Sequence, residues 1–196
     1  MRKQKGFSLI ELLIVVAIIL IIAAIAIPNL LRARIAANEA GSASSIRTIN
    51  TAQSTYVSAY PTVGYSGTLA ALGPGGVGSS CPGTGPVQAN ACLIDSALSN
   101  AKANAKSGYF YDLAATANNG INVSYTVGSA PSGYNVTGVR AFCSIEDGVI
   151  RFNPNVGGTI AAPITAGCKA KIGGSLRVPP GPDGEAAGTS GGDRVV

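Results

Sequence analysis

A single carboxylate, Glu11, stands inside an otherwise unbroken apolar run from Phe7 to Ile27. A charge in such a run costs about 2.5–3.5 kcal/mol on membrane-insertion scales, so its presence points to function; leucine would serve a plain anchor better. The other reactive side chains are four cysteines, at 81, 92, 143 and 168, separated by 11, 51 and 25 positions. Zinc thiolate sites use a C-x₂₋₄-C pair and redox sites a C-x-x-C, and neither spacing occurs, so no metal and no redox role is expected. An even number of cysteines in an exported chain predicts two disulfides. Four cysteines allow three pairings, of which Cys81–Cys92 and Cys143–Cys168 are the most local and the expected ones. The chain has no histidine, which excludes Ser–His and Cys–His nucleophiles. Glu146-Asp147 reads as a turn, and Gly73–Gly78 lacks the lysine of a phosphate cradle. Asp183, Glu185 and Asp193 do not match an EF-hand spacing. Neither enzymatic activity nor a cofactor is expected.

The elements that carry these residues follow from periodicity. A helix over the apolar run would be roughly 30 Å long, the thickness of a hydrocarbon core. Arg2, Lys3 and Lys5 precede it, while Arg32 and Arg34 follow Pro28, a weak bias toward a cytoplasmic N-terminus. The run is too long for a signal peptide, whose apolar region is about 7–15 residues. Beyond Pro28 a helical stripe continues through Leu31, Ile35, Ala43, Ile46, Ile49, Gln53, Tyr56 and Tyr60, with Arg32, Arg34, Asn38, Glu39, Arg47, Asn50 and Ser54 largely off it. Pro61 is a natural stop. One helix over 7–60 is expected, with a kink or local melt at Pro28 and a second soft point at Gly41.

Residues 62–86 read as loop, and 92–103 as a short helix. Strands are expected at Gly108–Leu113, Ile121–Val127, Tyr134–Phe142 and Val149–Phe152, with Glu146-Asp147-Gly148 as a hairpin turn. The fold class is therefore α+β, a long helix on a small antiparallel meander. Residues 61–172 form the head, and the Gly/Pro-rich stretch 173–196 is expected to be a mobile tail. The sequons at Asn122 and Asn135 fall in expected strands and are read as chance. The net charge of +5 includes three units from Arg2, Lys3 and Lys5. The remaining +2 makes no nucleic-acid surface, and Arg140, Arg151, Lys169, Lys171 and Arg177 are too dispersed for a basic stripe.

Residues 1–28 resemble the N-terminus of a type IV prepilin or a type II secretion pseudopilin. The match rests on a basic leader (1–6) ending in Gly6, then Phe7, Ser8-Leu9-Ile10, Glu11 as the fifth residue after the glycine, and Pro28 closing the run. The resemblance implies cleavage after Gly6 by a membrane prepilin peptidase, methylation of the Phe7 amine, and a cytoplasmic N-terminus with a periplasmic head. It implies that segment 7–28 is the transmembrane and assembly helix, and that 29–60 packs on the head. It implies that Glu11 pairs with the Phe7 amine of a neighbouring subunit. In that family a disulfide-bounded loop lies near the C-terminus, the part Cys143–Cys168 would play.

The function so implied is a structural subunit of a type IV pilus-like filament serving adhesion, motility or DNA uptake. It would be held in the inner membrane before assembly and be extracellular afterwards. The implied partners are identical subunits, the prepilin peptidase and the pilus assembly machinery, with no specific nucleic acid. The alternatives are a secretion pseudopilin, whose major form typically carries a calcium loop not found here, and a minor pilin acting as a binding module.

Overall fold

The structure, a computed structural model, describes residues 8–75, 79–81, 85–153 and 168. The leader 1–6, Phe7 and the tail 173–196 lie outside the described residues, as do Lys169, Lys171 and Arg177. Helix α1 spans Leu9–Ala59, 51 residues, and is capped where Tyr60 N–H donates to Tyr56 O (2.9 Å) just ahead of Pro61. It runs through Pro28 without interruption, so the local melt expected there does not form. The sheet follows: β1 Tyr109–Asn118, β2 Ile121–Pro131, β3 Ala141–Ile145 and β4 Arg151–Asn153. All neighbours are antiparallel and the order is β1-β2-β3-β4, the expected meander.

Period-two alternation puts Tyr109, Tyr111 and Leu113 of β1, Tyr125 and Val127 of β2, and Phe142 of β3 into one core. Ile46 and Ile49 of α1 complete it from the other side and are fully buried. Two short helices close its end, α2 Leu69–Leu72 and α3 Ser96–Ser99. Each is capped by its preceding side chain, Thr68 accepting from Ala71 N–H (3.2 Å) and Asp95 from Leu98 N–H (2.9 Å). Cys81 is joined to Cys92, and Cys143 to Cys168, with Cα–Cα distances of 5.9 and 6.0 Å.

Four expectations need correction. The segment 62–86 contains α2, because the turn of Leu69-Ala70-Ala71-Leu72 buries both leucines on the core. The helix expected over 92–103 is confined to α3; Cys92 has a positive φ (55°), which breaks helical geometry at that end. β1 runs on to Asn118, and Asn119-Gly120, with φ of 50° and 83°, forms the two-residue turn into β2. The strand expected over Tyr134–Phe142 begins only at Ala141. Ahead of it, Gly133–Gly138 folds into a turn in which Thr137 N–H donates to Gly133 O (2.9 Å) and Asn135 N–H to Gly138 O (3.0 Å). Gly138 is required there: a Cβ would collide with the Tyr109 hydroxyl. Asn135 is accordingly an exposed turn residue, while Asn122 lies in β2.

Candidate functional site

Among the described residues, the first half of α1 makes no hydrogen bond or ion pair with the head. Leu9, Ile10, Leu12, Leu13 and Ile14 are exposed, as are Ile18 to Ile22, Ile25, Ile27, Leu30 and Leu31, the least covered being Leu9 at 80%. These positions cover all sides of the helix. A helix apolar all round is stable only inside lipid or inside an assembly of other helices. The long helix passes the length and composition test for a membrane span at this end.

Glu11 sits at the third position of α1, where its charge meets the positive end of the helix dipole. Ser8, the N-cap, donates its N–H to Glu11 Oε2 at 3.0 Å. This is half of a capping box, and Ser8-x-x-Glu11 is its sequence signature. Ser8 is part of the N-terminal motif, and its capping role is legible in that signature although the sequence expectations did not include it. The carboxylate therefore has a local role in starting the helix. Oε1 holds no hydrogen bond among the described residues and keeps acceptor capacity for a further donor.

The second half of α1 is bound to the head by polar contacts as well as by the core. Glu39, expected off the stripe, is 6% exposed. One carboxylate oxygen accepts from the backbone N–H groups of Val139 (2.9 Å) and Arg140 (3.0 Å), and the other from Arg140 Nε (2.7 Å). Its position is four residues before Ala43 and seven before Ile46, on the lattice of the stripe itself. Its charge had excluded it from an apolar count. Arg140, grouped with dispersed basic residues in the sequence, is committed to this pair and lies over the rings of Phe142 (5.8 Å) and Phe152 (5.3 Å).

Asn38 and Asn50 are likewise engaged. Asn38 Nδ2 donates to Thr137 O (3.0 Å), and Asn50 Nδ2 to Ser144 Oγ (2.9 Å) while accepting from the Tyr125 hydroxyl (3.1 Å). Gln53 is fully buried and exchanges two hydrogen bonds with the backbone of Ser66, both 2.9 Å. Of the remaining stripe, Leu31 is exposed below the head, and Ile35 and Tyr60 are half-buried. The buried seam thus starts at Glu39, eight residues beyond the last fully exposed leucine, Leu31.

Comparison with known proteins gives this division a context. The family profile described as "Prokaryotic N-terminal methylation motif" matches residues 1–27. The type IV wide pilus major component PilA4 of Thermus thermophilus is 69% identical over 39 residues, 20% of this chain and 30% of that protein. The type IV major pilin protein PilA of Myxococcus xanthus is 43% identical over 56 residues, 29% of this chain and 26% of that protein. The N-terminal segment of this chain is similar to that of type IV pilins. The chain spans under a third of either relative's length. No solved structure matches the chain. The head is thus described by its own residues alone.

Proposed function

We propose that this protein is a structural subunit of a type IV pilus-like filament, processed after Gly6 and polymerised through the first half of α1. The observation that carries the reading is the exposure of that half. More than a dozen large aliphatic side chains from Leu9 to Leu31 are exposed among the described residues, beside a head with a closed core. Burying them among copies of the same helix stabilises an assembly by roughly 25 cal/mol per Å² of apolar surface removed from water. Before assembly, lipid supplies the same cover, with the head on the periplasmic side of the inner membrane.

Cleavage at Gly6 by the prepilin peptidase creates an amine on Phe7, which the enzyme then methylates. Glu11, with one oxygen already held by Ser8, takes the Phe7 amine of a neighbouring subunit on the other. In a water-poor core such a pair holds only with good hydrogen bonding, so it acts as a register device more than as glue. Both matched relatives are pilus components by name, which supports a pilus over a secretion pseudopilus.

Intact mass and N-terminal sequencing of filament-derived protein test the proposal. The expected chain begins at a methylated Phe7. Retention of Met1, or a start near Ile27, would overturn it. Deletion of the gene should abolish surface filaments and leave protein secretion intact.

A further inference from the structure

Arg32 and Arg34 are unaccounted for by the fold. Both are exposed, and neither forms a hydrogen bond or ion pair with any described residue. Most of the described acids beyond the neck are already paired: Asp95 is held by Lys106, Asp112 by Lys102, Asp147 by Arg151, and Glu39 of α1 by Arg140, while Glu146 stands beside Asp147 in the β3–β4 turn. They are the only charges in the neck, residues 28–38, between the exposed apolar run and the first buried residue, Glu39.

Their placement selects the partner. Because α1 is unbroken through Pro28, helix geometry fixes them relative to the apolar run. They lie five and seven residues past Ile27, roughly 8 and 10 Å along the axis. The headgroup layers bring a bilayer from about 30 Å of hydrocarbon to about 40–45 Å in total, so both guanidinium groups reach the phosphate level once the run is inserted. Two residues apart on a helix means about 200° apart around it. The two side chains point to opposite sides at nearly one depth. A single protein neighbour meets one side of a helix; a sheet of headgroups surrounds it.

We propose that Arg32 and Arg34 bind lipid headgroup phosphates of the periplasmic leaflet and set the depth at which the stored subunit sits. This rests on the reading of α1 as a membrane-stored helix. The planar fork of arginine pairs with phosphate oxygens through two N–H donors. The contacts hold the neck at the surface, keep the head clear of it, and are surrendered when the subunit leaves lipid for the filament. Arg47 is an internal control: it too is exposed and without a partner among the described residues, but it stands 20 residues past Ile27, roughly 30 Å along the axis and beyond headgroup reach.

The test uses the full chain, labelled with ¹³C at the arginine guanidinium carbon and reconstituted in phosphatidylcholine–phosphatidylglycerol vesicles. Dephasing of the ¹³C signal by lipid ³¹P reports phosphate contact. The expected result is that Arg32→Gln and Arg34→Gln each remove part of the dephased signal, the double variant removes both parts, and Arg47→Gln removes none. Unchanged dephasing in the double variant, with the protein recovered in the membrane fraction, overturns the assignment while leaving membrane storage intact. A guanidinium contact to carboxylate carbon in place of phosphorus would also overturn it, in favour of a neighbouring subunit. Recovery of the chain in the soluble fraction would overturn storage and this assignment together.

Discussion

From Leu9 to Leu31, α1 exposes leucine and isoleucine on every side, whereas from Glu39 to Tyr56 the same helix buries one stripe almost completely. The backbone is continuous across the two regions, and their intrinsic helix propensity is no obstacle in either. What differs is where the partner of each side chain resides. The upper half finds its partners in its own sheet. The lower half has none among the described residues, and on the proposed reading lipid covers it first and other copies afterwards. The same division is visible in polarity. Glu39, Asn38, Asn50 and Gln53 are matched by groups 13 to 101 residues away in sequence, while among the described residues the charge of Glu11 has only the Ser8 N–H. One half of the helix is therefore a folding element, and the proposed function makes the other an assembly element.

The largest expected effect breaks the assembly half alone. Glu11→Val removes an insertion cost, so membrane-fraction levels should hold or rise. On the proposed pairing it also strips the neighbouring amine of its acceptor; removing one member of a buried pair costs about 3–5 kcal/mol. With this variant as sole subunit, surface filaments should be lost or scarce by electron microscopy. Normal filaments at normal expression would remove Glu11 from the account.

Matched truncations sharpen the contrast. Ile49→Ala opens a cavity in the fully buried core and should destabilise the head by about 2–5 kcal/mol in denaturant unfolding. Ile14→Ala, the same chemical change on the exposed half, should leave head unfolding unaltered. Equal losses would mean that the lower half contributes to folding after all. Next in size is Glu39→Gln. It replaces charge-assisted hydrogen bonds to Val139, Arg140 and the Arg140 guanidinium by weaker ones. A cost of about 1.5–3 kcal/mol is expected, discounted toward the lower end because Arg140 is partly exposed.

The smallest effect concerns acid. The Arg151 guanidinium, aided by the Val149 N–H, holds the Asp147 carboxyl below its ordinary value. A carboxylate depressed in the folded state adds stability above the unfolded carboxylate range and loses it as pH falls through the folded value. With Asp147 at the surface, the pair should contribute under about 1 kcal/mol. Asp147→Asn should flatten that part of the acid dependence in unfolding measured across the carboxylate range. An unchanged slope would show that the pair is idle.

Legibility in the sequence followed the same divide. The lower helix was readable because its environment is uniform, so composition alone specifies it. The meander was readable where alternation was strong, as in Ile121–Val127, and poorly where alanine dilutes it, as in Ala114–Asn118, although Asn119-Gly120 marked the turn. Tyr134–Phe142 looked like a strand because its aromatic and β-branched residues outweighed Gly133, Asn135 and Gly138, which govern the backbone there. Glu39 was the most consequential omission. A charge on a helical lattice position is read as solvent-facing unless its partner is known, and Arg140 lies 101 residues away.

The central claim is that the lower half of α1 completes its packing only against other copies of itself. Cryo-electron microscopy of filaments assembled from the unmodified chain tests it most directly. The account predicts a core in which Leu9 to Leu31 are enclosed by the same segment of neighbouring subunits, with Glu11 beside a neighbour's Phe7 amine and the heads outside. A filament held together by its heads, with Leu9 to Leu31 folded back on their own sheet or left facing solvent, would contradict it.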